Sequence, residues 1–236
     1  MHTGAPLERH HLSGCLSAFL STKKIKGTMK KIMFSEQFGL QQAVIAKRKT
    51  MTRRIINGDY EDVKAYHANG GWHFIADTKD GDSVEVKPAY EVGETIAIAQ
   101  AYQTLRWPAL PGIDWKAITD EVTHSKGWAN KMFVKAEYMP YRIRITNIKL
   151  EQLQDISEED AMHEGVFKYD KPPLHHEYDM FAPWPPYIKP YKWDANNLIY
   201  RCTARYAFAY LIDKISGGGT WNRNPWVFAY EFELVR

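Results

Sequence analysis

Cysteine is nearly absent from this chain of 236 residues: Cys15 and Cys202 are the only two. Two thiols so far apart supply neither a disulfide framework nor a zinc site, and they fit a reducing cytoplasm. Long hydrophobic runs are also missing. No stretch reaches the roughly 18 apolar residues of a membrane-spanning helix, so no membrane partner is expected. An excess of one charge is missing too. The 31 basic and 28 acidic side chains leave +3, which neither demands nucleic acid nor excludes it. Where the charges sit therefore counts for more than their sum. The apolar core of a signal sequence is lacking as well. "LSGC" at Leu12–Cys15 mimics a lipoprotein cleavage box, but "LERHH" puts charge where the apolar segment belongs. Residues 1–28 are read instead as a disordered N-terminal extension, with "MKKIMFSEQF" from Met29 as an ordinary cytoplasmic start.

What is plentiful is aromatic: 14% of residues, within an otherwise ordinary globular composition of 44% hydrophobic and 25% charged. The length suits one sizeable domain with insertions, here residues 29–236. "FSEQFGLQQAVIAKRK" predicts a helix capped by Ser35, with Phe38, Val44 and Ile45 on its apolar face. "KDGD" between two short runs predicts a hairpin. "VGETIAIAQAY" predicts a buried strand in which Ile96 and Ile98 alternate with small residues. Residues 103–130, with Trp107, Pro108, Pro111, Gly112 and Trp115, are expected to be irregular. "KMFVKAEYMPYRIRITNIKLEQL" predicts one or two strands, with Pro140 at a bend or strand start and Arg142 and Arg144 opposite Tyr141, Ile143 and Ile145. "SEEDAMHEG" predicts a short helix capped by Ser157 with Asp160, ending at Glu164 and Gly165. Lys168 to about Trp193 is proline- and aromatic-rich and is expected to be a loop. "RYAFAYLIDKISGGG" predicts a helix stopped by glycine. "NPWVFAYEFELV" predicts a closing strand with Trp226, Phe228, Tyr230, Phe232 and Leu234 on one face. Strands and helices without regular βαβ alternation imply an α+β fold: a small, mostly antiparallel, barrel-like sheet flanked by helices.

Two features raise a functional question. "AKRKTMTRR" packs five basic side chains and two threonines into nine residues, directly after an apolar run. Basic residues at a helix C-terminus are commonly just solvated, but cations interleaved with hydroxyls also suit phosphate oxygens. Glu164 is the second. A carboxylate at a helix C-terminus faces the negative pole at a cost of a few tenths to about 1 kcal/mol, which a nearby cation would offset. Spacing alone does not connect Glu164 to Lys49.

"KRKTMTRR", the strand after "YEVGE", "RIRITNIKLEQLQDISEEDAMHEGV" and the terminal "WVFAYEFEL" together resemble the ASCH domain, a family related to PUA RNA-binding domains. The resemblance covers roughly residues 31–56, 90–102, 132–166 and 206–235. Insertions at about 57–89, 103–130 and 167–200 lie outside it. The family signature is Gly-x-Lys-x-x-Thr-x-Arg. Lys49, Thr52 and Arg54 match its last three fixed positions, and Lys47 stands in place of the glycine. "AMHEG" resembles the second motif, with Glu164 at its acidic position. The chain is most similar to uncharacterised ASCH proteins of bacterial and prophage genomes. The resemblance implies a PUA-like β-barrel with a basic cleft for RNA, a nucleotide or a modified nucleobase. It also implies, from bacterial members that deacylate acetylcytidine, an amidohydrolase with Lys49, Thr52 and Glu164 as the catalytic set. In that chemistry Lys49, its pKa lowered by neighbouring cations, takes the proton from Thr52, and Glu164 orients Lys49 or shuttles a proton. Arg48, Arg53, Arg54, Arg142, Arg144, Trp184 and Tyr187 are candidates for holding the ligand.

A third reading, an accessory protein of a phage or mobile element acting through protein partners, draws on the aromatic loop. No cofactor is expected, because "GGG" at 217–219 lacks the strand–turn–helix context of a phosphate loop. No metal is expected either: the adjacent His175 and His176 beside Glu177 point apart and lack a third ligand at helical spacing. His163 reads as an exposed helix residue.

Overall fold

The computed structural model describes residues 29–68, 71–105, 115–168, 181–182 and 203–235. In chain order the elements are β1 (Lys31–Ile32), α1 (Leu40–Ile45), β2 (Met51–Ile55), β3 (Tyr60–Ala68), β4 (Gly71–Thr78), β5 (Ser83–Val86), β6 (Thr95–Ile98) and α2 (Trp115–Thr123). There follow β7 (Arg142–Gln152), α3 (Glu158–His163), β8 (Phe167–Lys168), β9 (Phe181–Ala182), α4 (Ala204–Ser216), α5 (Thr220–Arg223) and β10 (Trp226–Val235). The fold is α+β. A five-stranded sheet runs β1-β6-β7-β10-β2, a three-stranded sheet β3-β4-β5, and β8 pairs with β9. Among the described residues only the β1–β6 pair is parallel. Among the described residues no helix is long and apolar enough to cross a membrane.

The inner face of the large sheet follows the alternation of its strands. Ile96 and Ile98, Ile143 and Ile145, and Phe228, Tyr230 and Phe232 form one buried cluster with Ile32, Phe34 and the Leu40 and Val44 side chains of α1. Val63, Phe74, Ala76 and Val86 of the smaller sheet join it. On the outer face, Val227 and Ile55 pack against Ala161 of α3 and Ala204, Ala207, Phe208 and Ile212 of α4. In β7 the apolar residues change parity, from Ile143 and Ile145 to Ile148 and Leu150. A bulge reconciles them: Glu231 pairs with Asn147 and Phe232 with Ile145, so Thr146 is the extra residue.

The edges of the large sheet, β1 and β2, curl toward each other. Arg54 Nη2 donates to Met33 O at 3.0 Å, and the Phe34 ring centroid is 5.8 Å from Lys49 Nζ. Side chains span the gap, but strand pairing among the described residues does not close it.

Several local expectations change. Ser35 does not cap α1. Its carbonyl accepts from Leu40 N at 2.9 Å, while Gly39, at φ 65°, occupies the cap position and delays the helix to Leu40. Residues 57–89 hold a complete three-stranded sheet: the expected hairpin is β4–β5, and β3 adds to its far side. The segment 103–130 contains α2 rather than only irregular chain. Before β7 the chain makes two 3-10 turns, at Lys131–Phe133 and Ala136–Tyr138, so that region yields one strand. β8 and β9 pair Phe167 with Ala182 and Lys168 with Phe181, so a short ladder reaches the middle of the expected loop. The rest of that loop, with Trp184, Tyr187 and the His175–Glu177 stretch, lies outside the described residues, as do residues 1–28 and both cysteines.

Candidate functional site

After α1 the chain reverses at Lys47, whose φ of 59° is left-handed. The reversal lets the amides of Arg48 and Lys49 both donate to Ala43 O, at 2.8 and 3.0 Å. Lys47 and Arg48 are thereby turned out to solvent, and Lys49 is turned in, 2% exposed. The Lys47 backbone thus adopts a conformation that glycine takes without steric cost.

The other half of the site comes from α3. Ser157 Oγ accepts from Asp160 N at 3.0 Å, as its spacing predicts. Glu158 Oε2 accepts from Ala204 N at 2.6 Å and Arg205 N at 3.2 Å, tying α3 to the start of α4. Glu164 ends α3, and Gly165 turns the chain away at φ 99°. Thr50 N donates to His163 O at 3.0 Å, so the end of α3 docks on the lead-in to the edge strand β2.

Lys49 and Glu164, 115 positions apart, meet there. Lys49 Nζ donates to Glu164 Oε2 at 2.6 Å, to Glu164 O at 2.7 Å and to Met51 O at 2.7 Å. All three ammonium donors are used, none of them by Thr52. The second Glu164 oxygen, Oε1, accepts from Arg53 Nη1 at 3.1 Å. Arg53 Nε donates to Glu151 Oε1 at 2.7 Å, and Nη2 lies 2.6 Å from Glu151 Oε1 and 3.1 Å from Asp160 Oδ2. Two buried cations thus face three carboxylates. A cation that offsets the position of Glu164 at the helix end is present twice over.

Register explains the sorting of side chains along β2. Arg53 pairs with Ala229, which pairs with Lys149, and Ile55 pairs with Val227, which pairs with Glu151. Arg53 and Glu151 therefore share the outer face. Thr52 pairs with Tyr230 and Arg54 with Phe228, so both lie on the inner face. Thr52 is buried, and its hydroxyl makes no hydrogen bond among the described residues.

Burial pushes the Lys49 pKa down, and the Glu164 carboxylate only partly counters it; Arg54 and Arg53 push it further down. Burial opposes the charge on Arg53 too, but Glu164 and Glu151 outweigh it and raise its pKa. Tyr230, whose hydroxyl accepts from Ala89 N at 2.8 Å, is pushed up to about 12 by burial.

Of the candidate residues, the structure gathers Lys49, Arg53 and Glu164 into one hydrogen-bonded centre and sets Thr52 and Arg54 on the inner face of the same strand. Arg48 is exposed beside the Phe167 ring, 5.9 Å from its centroid. Arg144 is held in an ion pair with Glu233 on the exposed side of β7, and Arg142 lies in the same strand. Trp184 and Tyr187 lie outside the described residues. Sequence reasoning missed Glu151 and took Asp160 only for a capping partner. Neither is marked locally, since Glu151 meets Arg53 only through the shared partner strand β10. It also missed Gln41 and Gln100, polar residues inside apolar runs that end up buried. Among the described residues no group of three or more His, Cys, Asp or Glu is arranged to hold a metal. The three carboxylates of the centre converge on Arg53 instead. Comparison with protein-family models, curated proteins and solved structures finds no match.

Proposed function

We propose that this chain is an ASCH-type, PUA-like protein that binds RNA, a nucleotide or a modified nucleobase at the Lys49–Glu164 end of its curled sheet. The observation that carries the reading is the 2.6 Å contact between two buried ionic groups 115 residues apart, each at a signature position. Two others support it. Lys47 keeps a glycine-like backbone where the signature has glycine. The sheet edges approach through Arg54 and Phe34, as an incompletely hydrogen-bonded barrel would. Burying charged groups in this way costs several kcal/mol per ion before pairing repays it, and a core built only for stability would do as well with apolar side chains. The expected result is saturable binding of nucleosides or a short oligoribonucleotide, followed by tryptophan fluorescence, weakened about tenfold in Thr52→Val. No binding of any nucleoside, nucleotide or oligoribonucleotide at low salt would overturn the reading.

Deacylation of a modified nucleoside such as acetylcytidine is the second reading. The unbonded Thr52 hydroxyl and the lowered Lys49 pKa favour it. Thr52 Oγ would attack the acetyl carbonyl and lose its proton to neutral Lys49. The amine of cytidine would leave protonated, and water would then release acetate from the threonine ester. In the resting arrangement, however, three acceptors hold the Lys49 protons, which favours the ammonium and ranks binding above turnover. Release of acetate from acetylcytidine by wild type, and its loss in Thr52→Val, would reverse that ranking.

A further inference from the structure

Three large apolar side chains left in solvent gather where β1 meets the chain that leads into β7. Met33 is 41% exposed, Met132 59% and Phe133 54%. The sequence there, "KGWANKMFVK" at 126–135, interleaves three lysines with apolar residues. Alternation along β1 turns Ile32 and Phe34 into the core and Lys31 and Met33 outward. Asn130 Oδ1 accepts from Met132 N at 3.0 Å and holds the 3-10 turn that presents Met132 and Phe133.

Hydrogen bonds make these residues one surface. Lys31 Nζ donates to Met132 O and Val134 O, both at 2.7 Å, so its ammonium meets the backbone on either side of Phe133. Lys126 Nζ stands 5.6 Å from the centroid of the Phe133 ring. Lys131 Nζ donates to Phe34 O at 2.6 Å, and Arg54 Nη2 donates to Met33 O at 3.0 Å. Phe34 is the residue whose ring lies 5.8 Å from Lys49 Nζ. The surface therefore borders the Lys49 end of the sheet.

Charge decides what it takes. Lys131 is matched by Glu36 at 3.2 Å. Lys31, Lys126 and Arg54 are in no ion pair among the described residues. The buried Lys49 and Arg53 are neutralised by Glu164, Glu151 and Asp160, so the phosphates of a strand held at that end fall to the exposed cations. Unmatched cations around an exposed ring suit a partner that alternates negative charge with flat apolar faces. A single strand of RNA does so, whereas a duplex hides its base faces.

We propose that Lys31, Met33, Arg54, Lys126, Met132 and Phe133 form the path of a single-stranded RNA leaving the Lys49 end. One base stacks on Phe133, and the flanking phosphates lie against Lys126 and Arg54. This rests on the nucleoside- or RNA-binding reading above and narrows its ligand to a strand rather than a free nucleoside.

The test follows a fluorescein-labelled oligouridylate by anisotropy and nucleosides by tryptophan fluorescence, in wild type, Phe133→Ala, Phe133→Tyr and Lys126→Gln. Phe133→Ala should bind the oligonucleotide about tenfold more weakly, the loss of one stacked base. Phe133→Tyr keeps a ring and should bind it as wild type does. Lys126→Gln should reduce the slope of log affinity against log salt by about 0.7, the value for one phosphate of a single strand. Nucleoside binding and melting temperature should stay unchanged in all three. Oligonucleotide affinity and salt slope equal to wild type in both Phe133→Ala and Lys126→Gln overturn this surface but leave the nucleoside reading standing. A loss that extends to nucleosides and comes with a lower melting temperature overturns it too, by showing a structural role. Binding to phosphatidylglycerol vesicles that Phe133→Ala abolishes, with oligonucleotide binding untouched, overturns it in favour of a lipid surface. No binding of nucleoside or oligonucleotide by wild type overturns both readings.

Discussion

Glu164 divides its carboxylate between two cations, and the consequences of changing each partner are unequal. Without its charge, Lys49 keeps only carbonyl acceptors, whereas Arg53 still has Glu151 and Asp160. Glu164→Gln is expected to cost about 3 kcal/mol, the loss of one partner of a buried pair, read as a lower urea midpoint at unchanged m-value. Lys49→Met should cost less, about 1–2 kcal/mol, because Glu164 retains Arg53. Equal costs would mean that Arg53 does not share the carboxylate. Tyr230 gives a signature in base. Its folded pKa, raised to about 12 from 10.0, adds stability that is complete below pH 10 and is lost as pH rises through about 12. Lys49, lowered from 10.5, works in the opposite sense: just below pH 10.5 the unfolded chain binds more protons, so that group alone makes stability rise with pH. The difference between wild type and Tyr230→Phe isolates the tyrosine. The variant should lose about 1 kcal/mol at neutral pH with the Ala89 hydrogen bond, and should show a shallower decline above pH 10 in chemical denaturation.

At the scale of elements, α3 and its exit turn fix where Glu164 sits. Gly165→Ala would place a side chain at φ 99°, against Leu40 and Lys49. It should cost about 1–3 kcal/mol and weaken ligand binding with it, where Ser157→Ala should cost about 1 kcal/mol and leave binding unchanged. A paired measurement of melting temperature and affinity separates the two. Much of α3 was legible in the sequence: the Ser157 cap, the acidic first turn and the terminal glycine are local signals, and local physics decides them. The β10 strand was legible because alternation of large apolar residues persists along its whole length. The start of α1 was not. Gly39 takes a left-handed conformation that stops the helix reaching back to Ser35, although Ser35 is a good cap residue. The change of parity in β7 also looked like noise, because a bulge is set by the partner strand rather than by the strand that carries it. α2 went unseen among the proline and tryptophan signals that surround it.

At the scale of the whole molecule, the α+β class followed from element order, whereas the expected barrel-like sheet is met only by edges that approach without pairing among the described residues, because closure depends on which strands become edges. The site was legible only in halves. "KRKTMTRR" and "AMHEG" each carried a physical oddity, and resemblance to a family suggested joining them. That Arg53 recruits Glu151 and Asp160 needed the three-strand register of β2, β10 and β7. The net charge of +3 also overstates what the buried centre offers an anion, because its cations are paired internally. Nucleoside affinity should therefore change less than twofold between low and physiological salt, where oligoribonucleotide affinity, which adds phosphate contacts, falls more steeply. The most direct test of the account is a fluorescence titration of the full chain with nucleosides and a short oligoribonucleotide, wild type beside Thr52→Val. The account predicts saturable binding that drops about tenfold in the variant at unchanged melting temperature. Absence of binding in wild type, or equal binding in both proteins, would contradict it.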